Sequence, residues 1–537
     1  MDQIKLYIAL FVIIAACGIL FRHSTLPGSL LLVIVGMLLS FLPAFPPIVI
    51  DPHIVFNIFL PLLLYEASAY SSTWREIKLN WRPIALLSIG HVIFITFLVA
   101  GVIHYLIPEF NWPLAILLGA VISPPDDVAI LAIAENMHMP HRVMAILKGE
   151  AMLNDATALI IYRFALIALI TSSFSLFQSV LDFFIIIICE TVYGVVLANF
   201  IGQIRLRVHD ANLQMLISVL TPFLAYVPAT SFHGSGVIAT VITGLFIGNY
   251  YWERYPPDIR LSARSVWETL GYCVQSILFL LVGLNFKFIL EKNSDLSYHQ
   301  LFLYSGSVIA TVIIGRFLWC YPASYLPRLI PSIRKAEGKM PWQYPFIVSW
   351  SGMRGGISLA AALAVPTLAT IHGIHPKALL LFLVFSVIIA TLLIQGLSLP
   401  WIVKKTGIIF YGEREQLCER YNELLVRLAM TAAVLKWLAE YQVEVTQGLL
   451  ASEIKLRIKE YSLIEKHFQD RISHYNKTKT IGEWVDLKEK VNLLMQMLYI
   501  ERDELRKFWR DNKISLEIRY KLEKQIDLKM KHLTDLT

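Results

Sequence analysis

The chain has 537 residues, of which 56% are hydrophobic and 16% charged, with a mean hydropathy of +0.60. Soluble domains carry about a quarter charged residues, so this composition excludes an ordinary soluble enzyme. The formal net charge of +7 does not point to nucleic acid, because the basic excess lies in short gaps between apolar runs.

Runs of membrane-spanning length, ~20 residues, fall near 4–21, 27–46, 52–70, 83–107, 112–135, 141–170, 175–203, 211–228, 233–250, 266–290, 300–326, 343–370 and 376–402. That makes about thirteen candidate spans by this length criterion. In the first, Ile14-Ala15-Ala16-Cys17 looks like a lipoprotein cleavage box. Only Lys5 precedes it as a basic residue, and cleavage would remove a span that the topology needs. The five cysteines are scattered without metal spacing, and four of them lie in apolar runs as small packing residues.

Positive charge sets the sides. Arg75, Lys78 and Arg82 follow the third run, Arg205 and Arg207 the seventh, and Arg254, Arg260 and Arg264 the ninth. Arg328, Arg334, Lys335 and Lys339 follow the eleventh, and Lys404 and Lys405 the last. The odd-numbered gaps are therefore expected in the cytoplasm, with the N-terminus outside. The expected organisation is a transmembrane domain over 1–403 and a charged, helical cytoplasmic domain over 404–537, regulatory or dimer-stabilising. The tail carries no GxGxxG or GxxxxGK[ST], so neither nucleotide gating nor a cofactor is expected.

Ionisable groups inside spans are expensive and functional by default. Glu66, Asp126, Asp127, Glu150, Asp155, Arg316 and Arg354 form that set. At ~3 kcal/mol each, leaving all of them unpaired would cost roughly 20 kcal/mol. Asp126 follows Pro113 by thirteen residues and Asp155 follows His141 by fourteen. Each therefore lies ~20 Å along its helix. The two spans run in opposite directions, so both aspartates are expected near mid-bilayer.

Ser123-Pro124-Pro125 removes two amide donors and disfavours helical backbone before each proline. A break is expected there, near the middle of 112–135, and another at Ser351-Gly352-Met353-Arg354-Gly355-Gly356 within 343–370. Interrupted backbone at that depth is tolerated only where it lines a cavity or is buried in protein. Two such helices in corresponding halves of the chain point to a transport site and to inverted repeats. Glu150 and Asp155 lie five residues apart, about 140° around a helix, so they are expected to serve different purposes. His91 and His104 are expected to be core histidines.

The stretches ISPPDDVAILA (122–132) and KGEAMLNDATALI (148–160) resemble the SPTDPVAVLA and GESLLNDATAL motifs of NhaP/NHE-type sodium/proton antiporters. PLLLYEAS (61–68), WETLGYCVQSILFLLVGL (267–284), Arg316 in IIGRFLWCY and WSGMRGGISLAAALAVP (350–366) resemble further blocks in the same order. The tail stretch ERDELRKFWRDNKIS is similar to the end of bacterial members.

The resemblance implies a homodimeric all-α polytopic protein of thirteen spans, in which a core built around two crossed, unwound helices moves against a dimer domain. It implies that Asp155 binds the cation or proton, that Asn154 braces the crossing, and that Asp126 compensates the positive ends of the half-helices. It also implies two structural ion pairs, Glu150 with Arg316 and Glu66 with Arg354.

Three positions depart from the family pattern. Pro125 replaces a threonine, leaving its backbone carbonyl as a ligand. Ala151 replaces a serine, and Asp127 replaces a proline, adding a carboxylate. The implied activity is exchange of a monovalent cation (Na⁺ first, then K⁺ or Li⁺) for protons, by alternating access in a bacterial inner membrane. Asn154, where electrogenic relatives carry a second aspartate, implies electroneutral exchange.

A channel would need a continuous pore and filter rings, which the sequence does not offer. An intramembrane aspartyl protease would need a GxGD motif, which is absent.

Overall fold

The computed structural model describes residues 3–20, 28–42, 52–70, 73–126, 137, 139–171, 176–232, 234–293, 296–337, 340–366, 375–444, 449–478, 485–510 and 516–534. Among the described residues every regular element is helical. In chain order the apolar helices begin with α1 (Gln3–Leu20), α2 (Gly28–Ser40), α3 (Val55–Ala69), α4 (Trp81–Leu106) and α5 (Trp112–Ile122). The long α6 (His141–Thr171) and α7 (Leu176–Arg207) come next, then α8 (Ala211–Ser231), α9 (Val237–Phe246), α10 (Pro257–Leu284) and α11 (Tyr298–Tyr325). The short α12 (Gln343–Trp350) and α13 (Gly356–Leu363) precede α14 (Pro376–Thr406). Within the described residues each predicted span coincides with one of these helices, the twelfth with the pair α12 and α13, while 43–46, 127–135 and 367–370 of the second, fifth and twelfth spans lie outside the described residues. The protein is a polytopic, all-helical membrane protein: seven helices among the described residues are long and apolar enough to cross a bilayer, and shorter apolar helices lie between them.

Local chemistry starts these helices where they start. Asn111 accepts from Leu114 N at 3.1 Å with Pro113 in the first turn of α5, and Asp210 caps α8 through Leu213 N at 2.8 Å. Ser297 and Gln300 form a capping box on α11. In each case the side chain satisfies an amide that the helix itself leaves unpaired.

Between apolar helices in lipid, association depends on close packing, which small residues permit. α2 and α10 meet at Gly36 and Gly283. A Cβ on Gly36 would lie 2.5 Å from Leu280 O and 3.0 Å from Gly283 Cα, so no larger residue fits this crossing.

The main apolar core runs through most of the membrane unit. A second, separate cluster joins Met152 and Ala156 of α6 to Leu60 and Leu64 of α3, Tyr226 of α8, and Val237 and Val241 of α9. It forms a seam along one face of α6.

The chain divides into two compact units, Met1–Glu413 and Arg414–Thr537. The second unit includes Leu449–Thr478, Val485–Arg510 and Leu516–Thr534. Leu498, Ile526 and Met530 pack together between its last two helices. Its solvated faces carry short-range pairs, as where Arg457 meets Glu453 and Glu460, each at 2.9 Å.

Candidate functional site

The first expected break lies where α5 stops at Ile122, and the rest of its span from 127 to 135 lies outside the described residues. Ser123 still donates its amide to Gly119 O at 2.9 Å, but Ser123–Asp126 are not helical. The prolines at 124 and 125 supply no donors, and carbonyls in this turn are released from the helical ladder. The second interruption runs from Ser351 to Gly355, between α12 and α13. The two breaks touch: Asp126 N donates to Met353 O at 2.7 Å. Non-helical backbone from two helices thus satisfies itself within protein.

α6 braces the first break from the side. Asn154 Nδ2 donates to Pro125 O at 2.8 Å, while its Oδ1 is buried without a hydrogen-bond partner. Ser351 Oγ, in the second break, is also buried without one. A carbonyl oxygen has two lone pairs, so Pro125 O keeps one acceptor position beyond the Asn154 bond.

The Asp126 carboxylate lies on Gly355, the residue that opens α13, and a Cβ at Gly355 would overlap it. No side chain of α13's own segment caps that helix. A carboxylate at a helix N-terminus is favoured by the unpaired amides there and by the macrodipole.

Asp155 is different. It is half-buried although it lies deep among the helices, and among the described residues no donor is directed at its carboxylate. Asp126 is the charged neighbour that acts on it. Ala151, one turn earlier on the same face, adds no oxygen. Asp127 lies outside the described residues.

Glu150 points elsewhere, as its spacing from Asp155 predicts. Its carboxylate makes a bidentate pair with Arg316, at 2.7 Å to Nη1 and 2.9 Å to Nη2, and both residues are fully buried. Arg316 Nε donates to Val348 O at 3.1 Å, tying α6, α11 and α12 together. His91 Nδ1 stands 4.0 Å from Glu150 Oε1. Fork-on-fork pairing of this kind is the strongest ion-pair geometry available to a carboxylate.

The implied pairing of Glu66 with Arg354 is not formed. Arg354 is pinned by its own backbone: its amide donates to Thr391 Oγ1 at 3.1 Å and its Nη1 to Gly352 O at 2.8 Å. Its Nε and Nη2 are buried without partners, and the carboxylate acting on it is Glu150. Glu66 instead lies against α10 beside Gly271.

Two buried charges and one half-buried charge lie outside the set chosen by depth in the sequence. Arg205, expected in a cytoplasmic gap, is fully buried at the end of α7, with its guanidinium 4.4 Å from the centre of the Tyr255 ring. Glu190 is buried within α7, and Arg163 is half-buried two turns beyond Asp155 on α6. Glu190 and Arg163 could have been found by checking every predicted span for charge, since both lie well inside one.

Comparison with known proteins identifies this arrangement. The transmembrane model of the sodium/hydrogen exchangers matches residues 8–405. The chain belongs to the sodium/hydrogen exchanger family. It is 30% identical over 459 residues to the low-affinity Na⁺/H⁺ antiporter NhaS1 of Synechocystis sp., covering 82% of this chain and 84% of that protein. It is 28% identical over 412 residues to the sodium, potassium, lithium and rubidium/H⁺ antiporter of Bacillus pumilus, covering 74% of this chain and 61% of that protein. The fold is similar to that of the sodium proton antiporter MjNhaP1 from Methanocaldococcus jannaschii, with a TM-score of 0.61 and 17% identity. That match covers 76% of this chain and 99% of the other.

As a member of this family the protein is a membrane-embedded transporter, an antiporter that exchanges monovalent cations for protons.

Proposed function

We propose that Asp155 is the carboxylate for which cation and proton compete, and that the exchange is electroneutral and proceeds by alternating access. The observation that carries this reading is the contrast among carboxylates around the two breaks. Glu150 is held by Arg316 and Asp126 lies at the start of α13, whereas no donor among the described residues is directed at Asp155. A buried carboxylate without fixed donors gains from taking up either a proton or a cation. Asn154 Oδ1 and Pro125 O supply neutral oxygens nearby, and Asp126 supplies charge. Hard oxygen ligands of this kind suit an alkali cation.

We assign Na⁺ as the leading substrate, with K⁺ and Li⁺ as competitors, because the similar antiporters are named for Na⁺ alone or for Na⁺, K⁺, Li⁺ and Rb⁺. The placement in a bacterial-type inner membrane, with the N-terminus outside and the charged tail in the cytoplasm, rests on the basic residues of the odd-numbered gaps. The homodimer rests on the family resemblance. The helical tail of 404–537 is read as regulatory or dimer-stabilising, and the two broken helices as counterparts in inverted repeats.

The test is pH recovery in everted vesicles on addition of each chloride salt. Exchange should appear with Na⁺, with apparent affinity falling as pH falls, because protons compete for the same group. Exchange that generates a membrane potential would overturn the electroneutral reading, and peptide cleavage without proton flux would overturn the antiporter itself.

A further inference from the structure

The short segment that opens α9 is held from two sides. Its N-cap residue is Gly236, at φ +73°, with no cap from its own side chain. Glu190 of α7 supplies the cap in trans. Its carboxylate accepts from Gly236 N at 3.0 Å, Ala239 N at 3.2 Å and Ser235 Oγ at 3.1 Å, and also from Ser235 N. From the other side, Arg163 of α6 donates Nη1 to Gly234 O. The glycines are needed here. A Cβ on Gly234 would collide with Glu190 Oε1, and one on Gly236 would lie 2.8 Å from Tyr226 Cδ2 in a backbone region that disfavours side chains.

Arg163 lies on the helix that carries Asp155, eight residues further on, about 12 Å along the axis. On either side of Asp155, α6 packs on α3, α8 and α9 through the small separate cluster in which Met152 and Ala156 meet Leu60, Leu64, Tyr226, Val237 and Val241, and Leu159 extends it toward Arg163. Tyr226 has Glu190, Arg163 and Asp155 as its charged neighbours. The face of α6 toward α9 is therefore an apolar seam, which can slide, and beyond it lies the directional contact of Arg163 with Gly234 O, which cannot slide without breaking.

We propose that Arg163 and Glu190 are positioning residues for exchange: Glu190 fixes the 234–239 segment as a stop, and Arg163 latches the ion-carrying helix against it in one of the two access states. This rests on the assignment of Asp155 as the exchanging carboxylate. A latch present in one state only shifts the equilibrium between states. It therefore raises apparent cation affinity on one face and lowers it on the other.

The experiment uses the full chain in proteoliposomes. Cation dependence of proton exchange is measured from each face, and amide hydrogen exchange over 234–240 on the same protein. Arg163→Gln should change the ratio of the two apparent affinities by about tenfold, the effect of losing one charge-assisted hydrogen bond. It should also speed exchange of the Ser235–Ala239 amides. Arg163→Lys keeps a donor and should restore both. Glu190→Gln should act in the same sense, and combining it with Arg163→Gln should add less than the sum. An equal fall in maximal rate from both faces, with ratio and amide protection unchanged, overturns the latch. Asp155→Asn separates the two readings. It should abolish exchange yet keep the amide protection, and an active Asp155→Asn would remove the ion-site assignment while the amide measurements on Arg163→Gln still judge the latch.

Discussion

Two carboxylates on one helix, five residues apart, have opposite surroundings. Glu150 is fully buried, gripped by both nitrogens of the Arg316 fork, with His91 alongside. Asp155 keeps accessible surface and faces no donor among the described residues. Both stand at depths where an ion is expensive, so neither is there for solubility. A charge whose partner is permanent becomes part of the frame. A charge left without a permanent partner is available to bind something that comes and goes. The helical period makes the division possible, since five residues turn the side chains to different faces.

The largest effect should come from removing the uncommitted group. Asp155→Asn is expected to abolish cation-dependent proton flux in vesicles while leaving expression and thermal stability near those of the parent, because no partner is orphaned. Proton-coupled transport surviving at a substantial level would move the exchanging role to Asp126 or Asp127.

The committed pair should behave in the reverse way. Glu150→Gln or Arg316→Ala strands a buried charge, with an expected loss of ~3–5 kcal/mol. The double change should lose less than the sum of the two. Melting in detergent measures this, and plain additivity of the shifts would deny that the two residues act as partners.

Much of this contrast was readable in the chain, and for a local reason. Pro124 and Pro125 act on their own backbone, so the end of α5 before them is written in the sequence, as is the gap after Trp350. The separation of Glu150 from Asp155 follows from the pitch of a helix. What was not readable depends on neighbours remote in sequence. Arg205 looks like a loop cation until Tyr255 is seen to cover it. Glu190 looks like an isolated acid until the amides of α9 arrive at it. The resemblance pairs Arg354 with Glu66, but its guanidinium turns back to a carbonyl two residues earlier, and Thr391 of α14 holds only its backbone amide.

Between the two carboxylates stands Asp126, committed through its backbone to Met353 O and lying on Gly355. Gly355→Ala tests whether that position matters for exchange. Gly355 has φ −121°, which any residue adopts, so the effect would come from overlap with Asp126 and not from backbone strain. Displacing the carboxylate from the start of α13 should weaken apparent cation affinity by roughly tenfold, near the upper range of ~1–2 kcal/mol for a partly buried charge at a helix end. A fall in maximal rate with affinity unchanged would argue that Asp126 fixes the fold of the crossing and leaves cation binding alone.

The smallest effect, and the sharpest on the structural half of the comparison, should come from Arg316→Lys. The charge opposite Glu150 is kept, so nothing is stranded. The planar fork is lost, however, and one ammonium cannot serve both carboxylate oxygens and Val348 O in their present geometry. The expected loss of stability is about 1–2 kcal/mol, the scale of one or two hydrogen bonds to a charged group, well below that of Arg316→Ala. Exchange should persist with its pH dependence unshifted, because Asp155 and its oxygens are untouched. The measurement is a pair of curves on one preparation, thermal melting and the pH profile of exchange. A shifted profile with unchanged melting would show that Glu150 and Arg316 tune the exchanging carboxylate directly, and the line drawn between frame and site on α6 would have to be erased.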